Sequence, residues 1–156
     1  RDSSTSRGLG DVYKRQHTIS LFPETFIYPD SIKLNMNDCP DIAQTVCVTA
    51  TALKVPFELT GLATLKVKET DRLLALQNEL KKIGCETEIS DDAIKSVNFA
   101  DPDENIVIKT YHDHRMAMSF APFSLIQNLE IEDETVVEKS YPKFWEDFNE
   151  ITEPIN

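Results

Sequence analysis

Residues 65–72, Leu-Lys-Val-Lys-Glu-Thr-Asp-Arg, hold the densest group of chemically capable side chains in this sequence. The group consists of the cations Lys66, Lys68 and Arg72 and the carboxylates Glu69 and Asp71. It falls at the expected junction of a strand and a helix, where Lys68 and Arg72 oppose the helix dipole. A phosphate or carboxylate ligand would satisfy the free backbone N–H groups and the cations together. A solvent-exposed helix start whose charges pair with each other is the alternative, and the octapeptide alone leaves both interpretations open.

Two later helix starts also have a cation beside them. Asp113 is an expected N-cap with Arg115 behind it, and Lys139 precedes the last expected helix. Repeated structural units can direct equivalent helix starts toward one place. We therefore expect Arg72, Arg115 and Lys139 to converge on a multiply charged anion, with coincidence as the competing explanation.

Apolar periodicity predicts that these helices alternate with short strands in repeated β/α units. Strands are expected at 31–36, 57–59, 64–67, 86–89, 93–97, 106–110, 129–132 and 135–137. The helix that follows residues 64–67 is expected to use Thr70 as its N-cap and Gly84 as its stop. The predicted fold class is therefore α/β (α+β), with helices packed against sheets.

Each expected helix has an apolar face that should lie inward. The members are Ile42, Val46, Ala50 and Leu53 after Pro40; Leu73, Leu76, Leu80 and Ile83; Met116, Phe120 and Phe123; and Tyr141, Phe144, Phe148 and Ile151. Pro122 is expected to kink the third helix.

Composition narrows the possible functions. The chain has 156 residues and a formal net charge of -11, which argues against nucleic acid as a partner. Cys39, Cys47 and Cys85 lack metal-ligand spacing, so we expect reduced, mostly buried thiols in a cytoplasmic protein. No apolar run approaches the roughly 20 residues of a membrane span, so no membrane partner is expected.

Residues 1–16 are polar, glycine-interrupted and without a sustained period. We interpret them as a non-native or disordered segment joined to a truncated gene. Residues 17–156 are then the domain to be explained.

Three motifs together resemble one enzyme family. They are Lys68-Glu69-Thr70-Asp71-Arg72, Asp113-His114-Arg115-Met116-Ala117-Met118 and Lys139-Ser140-Tyr141-Pro142, with Cys39-Pro40-Asp41 upstream. In this order they closely resemble the C-terminal part of the 5-enolpyruvylshikimate-3-phosphate (EPSP) synthase family, over about residues 31–151. The resemblance implies repeated βαβαββ units of the enolpyruvyl transferase fold. It also implies transfer of the enolpyruvyl group of phosphoenolpyruvate to the 5-hydroxyl of shikimate 3-phosphate, with release of phosphate.

The resemblance also implies roles for individual residues. Asp41 and Lys68 match residues beside the reacting hydroxyl, and Glu69 matches the glutamate credited with proton transfer at the methylene carbon. Arg72 and Arg115 match the arginines that hold the phosphoenolpyruvate carboxylate. Two further matches are Lys139, which lies toward the leaving phosphate, and His114, which is expected either to hydrogen-bond Glu69 or to be structural. His112 departs from the family pattern, where we expect asparagine.

The family comparison further implies chemistry without a metal or organic cofactor. The N-terminal domain of the family is missing from this sequence, so the fragment alone is expected to be inactive and its parent monomeric. Two alternatives remain: a UDP-N-acetylglucosamine enolpyruvyl transferase-like enzyme, and a non-catalytic anion-binding module. Binding of phosphoenolpyruvate or the herbicide glyphosate to the fragment would favour the module.

Overall fold

The central feature of the structure is a four-stranded sheet in a βαβαββ unit. The structure is a computed structural model that describes residues 12–15, 18–21, 27–67 and 71–152. The unit contains, in chain order, β3 (Ile32–Asn35), α1 (Ala43–Ala52), β4 (Phe57–Thr60), α2 (Arg72–Lys82), β5 (Cys85–Ile89) and β6 (Ile94–Phe99). Before it, β1 (Val12–Arg15) pairs antiparallel with β2 (Thr18–Leu21). The expected repeating unit and fold class are confirmed.

The sheet has the strand order β3-β4-β6-β5. Strands β3 and β4 run parallel, with Ile32 opposite Phe57, because α1 crosses over between them. Strands β5 and β6 form an antiparallel hairpin whose register shifts between Glu86 and Thr87. Strand β4 also pairs antiparallel with β6, so the two halves of the unit share one continuous sheet.

A second unit begins after the hairpin. It contains β7 (Ile106–Ile108), α3 (His114–Phe120), β8 (Leu129–Ile131) and α4 (Phe144–Thr152), with β7 and β8 paired in parallel. Helix α3 packs against α1 of the first unit. This contact brings the start of α3 near the start of α1.

Helix α2 follows its prediction closely. Leu73, Leu76, Leu80 and Ile83 are buried, and Gly84 ends the helix at φ +86°. The N-cap, however, is Asp71 and not Thr70, since the Asp71 side chain accepts a hydrogen bond from the Leu74 amide at 3.1 Å. Thr70 itself lies outside the described residues.

The predicted inner face of α1 is confirmed for Val46 and Ala50 but wrong for Ile42 and Leu53. Ile42 and Leu53 are exposed, while Ala43, Cys47 and Ala50 are buried. The chain first forms a 3-10 helix at Pro40–Ile42. A 3-10 helix rotates 120° per residue where an α-helix rotates 100°, so three such residues shift the face that α1 presents to the core by about 60°. Small side chains then face the core, where α1 packs against both α2 and α3.

Two predicted strands are 3-10 helices. Residues 64–67 fall in Ala63–Val67, because the buried side chains are Leu62 and Leu65, spaced by three and not by two. The Leu65 amide donates to the Leu62 carbonyl at 2.9 Å. The second case, residues 135–137, is the 3-10 helix Glu134–Val137, which Asp133 caps.

The predicted inward faces of the last two helices differ in outcome. Met116, Phe120 and Phe123 are buried as predicted, and α3 gives way at Pro122 to a 3-10 helix, Ala121–Leu125. The prediction for the last helix is wrong for Tyr141 and Ile151, which are exposed, and α4 has no fully buried residue. The Phe144 ring contacts the rings of both Tyr141 and Phe148.

The three cysteines are free thiols. Cys47 and Cys85 are buried as expected, but Cys39 is exposed, so the expectation of burial is wrong for that residue. Burial raises the pKa of both the Cys47 and the Cys85 thiol. Within the described ranges, no helix has the length and apolar character needed to cross a membrane.

Candidate anion-binding site

The best-defined ionic contact joins α2 to α3 inside the protein. Arg72 is the first residue of α2, and its Nε donates to Oδ2 of Asp113 at 2.5 Å. Both side chains are buried, at 3% and 0% exposed. A buried charge pair is retained only when its geometry and remaining hydrogen bonds are good, since breaking one partner leaves an unpaired charge.

Asp41 brings the second arginine to the same place. Its Oδ1 accepts from Arg72 Nη1 at 3.1 Å, and its Oδ2 accepts from Arg115 Nη2 at 3.1 Å. Arg115 Nη1 also donates to the Asp41 backbone carbonyl at 2.9 Å. One carboxylate therefore bridges two guanidinium groups from different helices. We call Asp41, Arg72, Asp113 and Arg115 the arginine cluster.

Three element starts build this cluster. Asp41 lies in the Pro40–Ile42 3-10 helix after β3, Arg72 begins α2, and Arg115 lies in the first turn of α3. Asp113 caps α3, accepting from the Arg115 amide at 2.9 Å through the oxygen that does not hold Arg72. The cap predicted from sequence is confirmed.

A strained turn sets the direction in which α3 begins. Tyr111 and His112 adopt φ +53° and +58°, a left-handed conformation that costs about 1–2 kcal/mol per residue without glycine. The Asp113 amide closes the turn on the Thr110 carbonyl at 2.9 Å. Asparagine and histidine both tolerate this conformation better than most residues. The departure at His112 therefore suits the local turn, and its side chain is exposed.

The cluster can recognise a carboxylate or phosphate. It presents two planar guanidinium groups, which make paired charge-assisted hydrogen bonds to such anions. Arg115 is 33% exposed and the Asp41 side chain 39%, so solvent reaches this side of the cluster while Arg72 is held from behind. Arg72 is only 3% exposed and both guanidinium groups already donate to Asp41, so an anion that binds both arginines has to displace the Asp41 carboxylate.

None of the other predicted site residues is a described member of the arginine cluster. Lys68 and Glu69 lie outside the described residues. His114 is partly buried beside the cluster, with Nδ1 3.8 Å from Asp113 Oδ1. Lys139 is exposed in the turn after the Glu134–Val137 3-10 helix, and no hydrogen bond or ion pair described in this structure links it to the cluster.

Lys66 does not join the cluster. Its Nζ pairs with Asp91 at 2.6 Å across the surface. Of the two cations in residues 65–72 that the structure describes, Arg72 therefore joins the cluster and Lys66 does not.

Sequence reasoning missed the buried carboxylates that support the cluster. Asp113 was expected only as a helix cap, yet it is also the buried partner of Arg72. Glu79 was not singled out, although it lies between Leu76 and Leu80 on the apolar stripe of α2 and is 0% exposed. A charged residue on such a stripe was the available signal. In the described part of the chain, no group of three or more acidic, histidine or cysteine side chains could hold a metal ion.

Both the structure and the sequence of this chain resemble known proteins. A structure titled EPSP synthase from Acinetobacter baumannii superimposes with a TM-score of 0.53 at 28% identity, covering 69% of this chain and 26% of that one. The chain therefore has the enolpyruvyl transferase fold. More narrowly, it belongs to the EPSP synthase (3-phosphoshikimate 1-carboxyvinyltransferase) family, whose model matches residues 11–148.

Curated relatives carry the same description. A 3-phosphoshikimate 1-carboxyvinyltransferase of Bacteroides fragilis is 48% identical over 113 residues, which are 70% of this chain and 28% of the relative. One of Methanospirillum hungatei is 38% identical over 141 residues, 90% of this chain and 32% of the relative. The chain thus spans about a third or less of these relatives.

Proposed function

We propose that this chain contributes the arginine-bearing wall of an active site that transfers the enolpyruvyl group of phosphoenolpyruvate to the 5-hydroxyl of shikimate 3-phosphate. A bond forms between the 5-oxygen and C2 of the enolpyruvyl group, the bond from C2 to the phosphate oxygen breaks, and the hydroxyl proton and inorganic phosphate leave. The single observation that carries the proposal is the bridging of Arg72 and Arg115 by one carboxylate, that of Asp41.

In this proposal Arg72 and Arg115 hold the carboxylate of phosphoenolpyruvate. Each charge-assisted hydrogen bond is worth about 1.5–3 kcal/mol. The bridge to Asp41 supports the assignment, because a substrate carboxylate has the same shape and charge. The buried Asp113 carboxylate accepts a hydrogen bond from Arg72 Nε, so the Arg72 guanidinium keeps its orientation when a ligand binds.

Asp41 orients the shikimate 5-hydroxyl or accepts its proton as the oxygen attacks. Its side chain is partly exposed and lies between both arginines, within reach of a ligand that they bind. A general base needs to lie within hydrogen-bond reach of the proton that it takes. Because Asp41 itself fills the donors of both arginines at 3.1 Å, this role requires its side chain to move aside when the substrate carboxylate binds and to remain next to it.

The remaining roles follow the family motifs. Lys68 assists at the reacting hydroxyl, Glu69 exchanges a proton at the methylene carbon, His114 supports Glu69, and Lys139 attracts the phosphate that leaves. His114 lies next to Asp113, and the Glu134–Val137 3-10 helix before Lys139 packs against α3. Both placements are compatible with these roles.

We further propose that residues 17–156 are a partial C-terminal domain and that another domain of a longer, monomeric cytoplasmic protein completes the site. The share of the relatives that this chain spans supports this domain assignment. The reaction proposed here is acid-base chemistry with electrostatic stabilisation and uses no metal or organic cofactor. The chain alone is then inactive.

Genetic complementation tests the proposal. The full-length gene is expressed in a bacterium that lacks 3-phosphoshikimate 1-carboxyvinyltransferase, on medium without aromatic amino acids. We expect growth from the wild-type gene and from Lys33→Ala, which removes only an exposed ion pair with Glu58. We expect slower growth from Arg115→Lys, which keeps the charge but loses the paired geometry.

Failure of a well-expressed wild-type protein would reject the proposal. Rescue instead of a strain that lacks the nucleotide-sugar enzyme of wall synthesis would favour that alternative. The names of the curated relatives favour the shikimate reaction over it.

A further inference from the structure

A buried carboxylate outside the arginine cluster links α2 to the turn that begins α3. Glu79 is 0% exposed and lies about two helical turns after Arg72, on the same face of α2. It accepts hydrogen bonds from Lys82 Nζ at 2.5 Å, from the Lys109 amide at 2.9 Å and from the Tyr111 hydroxyl at 2.9 Å. Both oxygens of this carboxylate therefore accept hydrogen bonds from protein donors.

The donors to Glu79 hold β7 and the turn after it. Lys109 and Tyr111 follow β7 directly, and Lys82 also donates to the Val107 carbonyl on that strand at 2.7 Å. Helix α2 thus holds the same segment at two places. Glu79 binds it at one end of the helix, and Arg72 binds it through Asp113 at the other.

The turn between these two places determines where Asp113 lies. Tyr111 and His112 are both left-handed, and although histidine tolerates this conformation, a bulky tyrosine does not favour it. The Tyr111 ring packs against the core, and its hydroxyl ties the turn to the buried carboxylate of Glu79. Asp113 then uses one oxygen for Arg72 and the other for the Arg115 amide. A turn that relaxed toward right-handed geometry would move the partner of one arginine and the backbone of the other.

We propose that Glu79 and Tyr111 are positioning residues that hold this turn and thereby keep Arg72 and Arg115 in register around a bound anion. The kinetic consequence of this inference rests on the proposed function, whereas its structural part does not. Neither residue touches the substrate in this account.

The first experiment measures hydrogen exchange at the amides of Asp113 and Arg115 in this chain. Tyr111→Phe removes only the hydroxyl, and Ile106→Val on β7 serves as the control because it weakens the buried start of the same strand without touching the turn. We expect hydrogen exchange at both amides to be about tenfold faster in Tyr111→Phe than in Ile106→Val, compared at conditions where the two variants are equally far below their thermal midpoints. Equal exchange in the two variants would overturn the inference.

The second experiment measures steady-state kinetics of the full-length protein. We expect Tyr111→Phe to raise the KM for phosphoenolpyruvate about five- to twentyfold with kcat changed less than twofold, because a misplaced binding group weakens substrate and transition state alike. Glu79→Gln should act in the same direction. The double variant should be within twofold of Glu79→Gln alone, since the two residues act as one unit.

The outcomes separate the two proposals. A wild-type protein with no activity on these substrates rejects the proposed function, and the exchange experiment then decides the positioning role. An active protein in which Tyr111→Phe leaves the KM unchanged, or in which Ile106→Val raises it as much, overturns the positioning role and leaves the proposed function standing.

Discussion

Replacing Asp113 by asparagine isolates the energetic value of the contact between α2 and α3. Asparagine caps a helix about as well as aspartate, so the hydrogen bond from the Arg115 amide can persist. The buried Arg72 guanidinium loses its anionic partner and faces an amide instead. Breaking a buried ion pair typically costs about 3–5 kcal/mol. The bond from Arg72 to the partly exposed Asp41 offsets some of that cost, so we expect a loss of about 2–3 kcal/mol.

Urea unfolding followed by circular dichroism measures this loss. With a slope of about 1.5–2 kcal/mol/M, the midpoint should fall by about 1–2 M. Asp133→Asn is the matched control, because Asp133 caps the Glu134–Val137 3-10 helix through Thr135 and holds no arginine. We expect the control to change stability by no more than about 0.5 kcal/mol. Equal effects of the two substitutions would refute the reasoning that Arg72 depends on a buried counter-charge.

Three further predictions concern packing, thiol access and titration. Gly84→Ala should destabilise the chain by at least about 1–2 kcal/mol in the same urea assay, since φ is +86° there and the added Cβ would overlap a backbone carbonyl; an unchanged midpoint would contradict this. A thiol reagent should modify Cys39 rapidly and reach Cys47 and Cys85 only on unfolding, and fast reaction of three thiols in the folded chain would show that the core is open. Burial, followed by the hydrogen bond to Glu79 and the charge of Glu79, raises the pKa of the Tyr111 hydroxyl. The protonated hydroxyl therefore stabilises the folded chain fully below the ordinary phenol pKa, and this stabilisation is lost as the pH rises through the raised pKa of the folded state. Absorbance titration of the wild type against Tyr111→Phe should show the missing phenol ionising above pH 10, and ionisation at the ordinary value would contradict the burial of that ring.

The long amphipathic helices could be predicted because the spacing of their apolar residues fits only one type of secondary structure. The stripe Leu73, Leu76 and Leu80 with Gly84 behind it fits a helix and nothing else, and the structure confirms it. Short segments were ambiguous. Residues 64–67 alternate like a strand, but the burial of Leu62 and Leu65 shows that the period is three.

The site could be predicted in part for a similar reason. Repetition of a cation at successive helix starts predicted that Arg72, Arg115 and Lys139 would converge. The structure brings Arg72 and Arg115 together at Asp41, and no contact that it describes brings Lys139 to them. The partners of these arginines could not be predicted, because contacts between residues far apart in the chain depend on how α1, α2 and α3 pack. The Glu79–Tyr111 contact depends in addition on a left-handed turn that contains no glycine to mark it.

Release of inorganic phosphate by the full-length protein tests whether Arg72 and Arg115 bind phosphoenolpyruvate in the proposed enolpyruvyl transfer. The wild type should release phosphate only when shikimate 3-phosphate and phosphoenolpyruvate are both present. Arg72→Lys and Arg115→Lys should each lower kcat/KM for phosphoenolpyruvate by about 10- to 100-fold, the equivalent of one charge-assisted hydrogen bond. Phosphate release that is absent in the wild type, or unchanged in both arginine variants, would contradict the account.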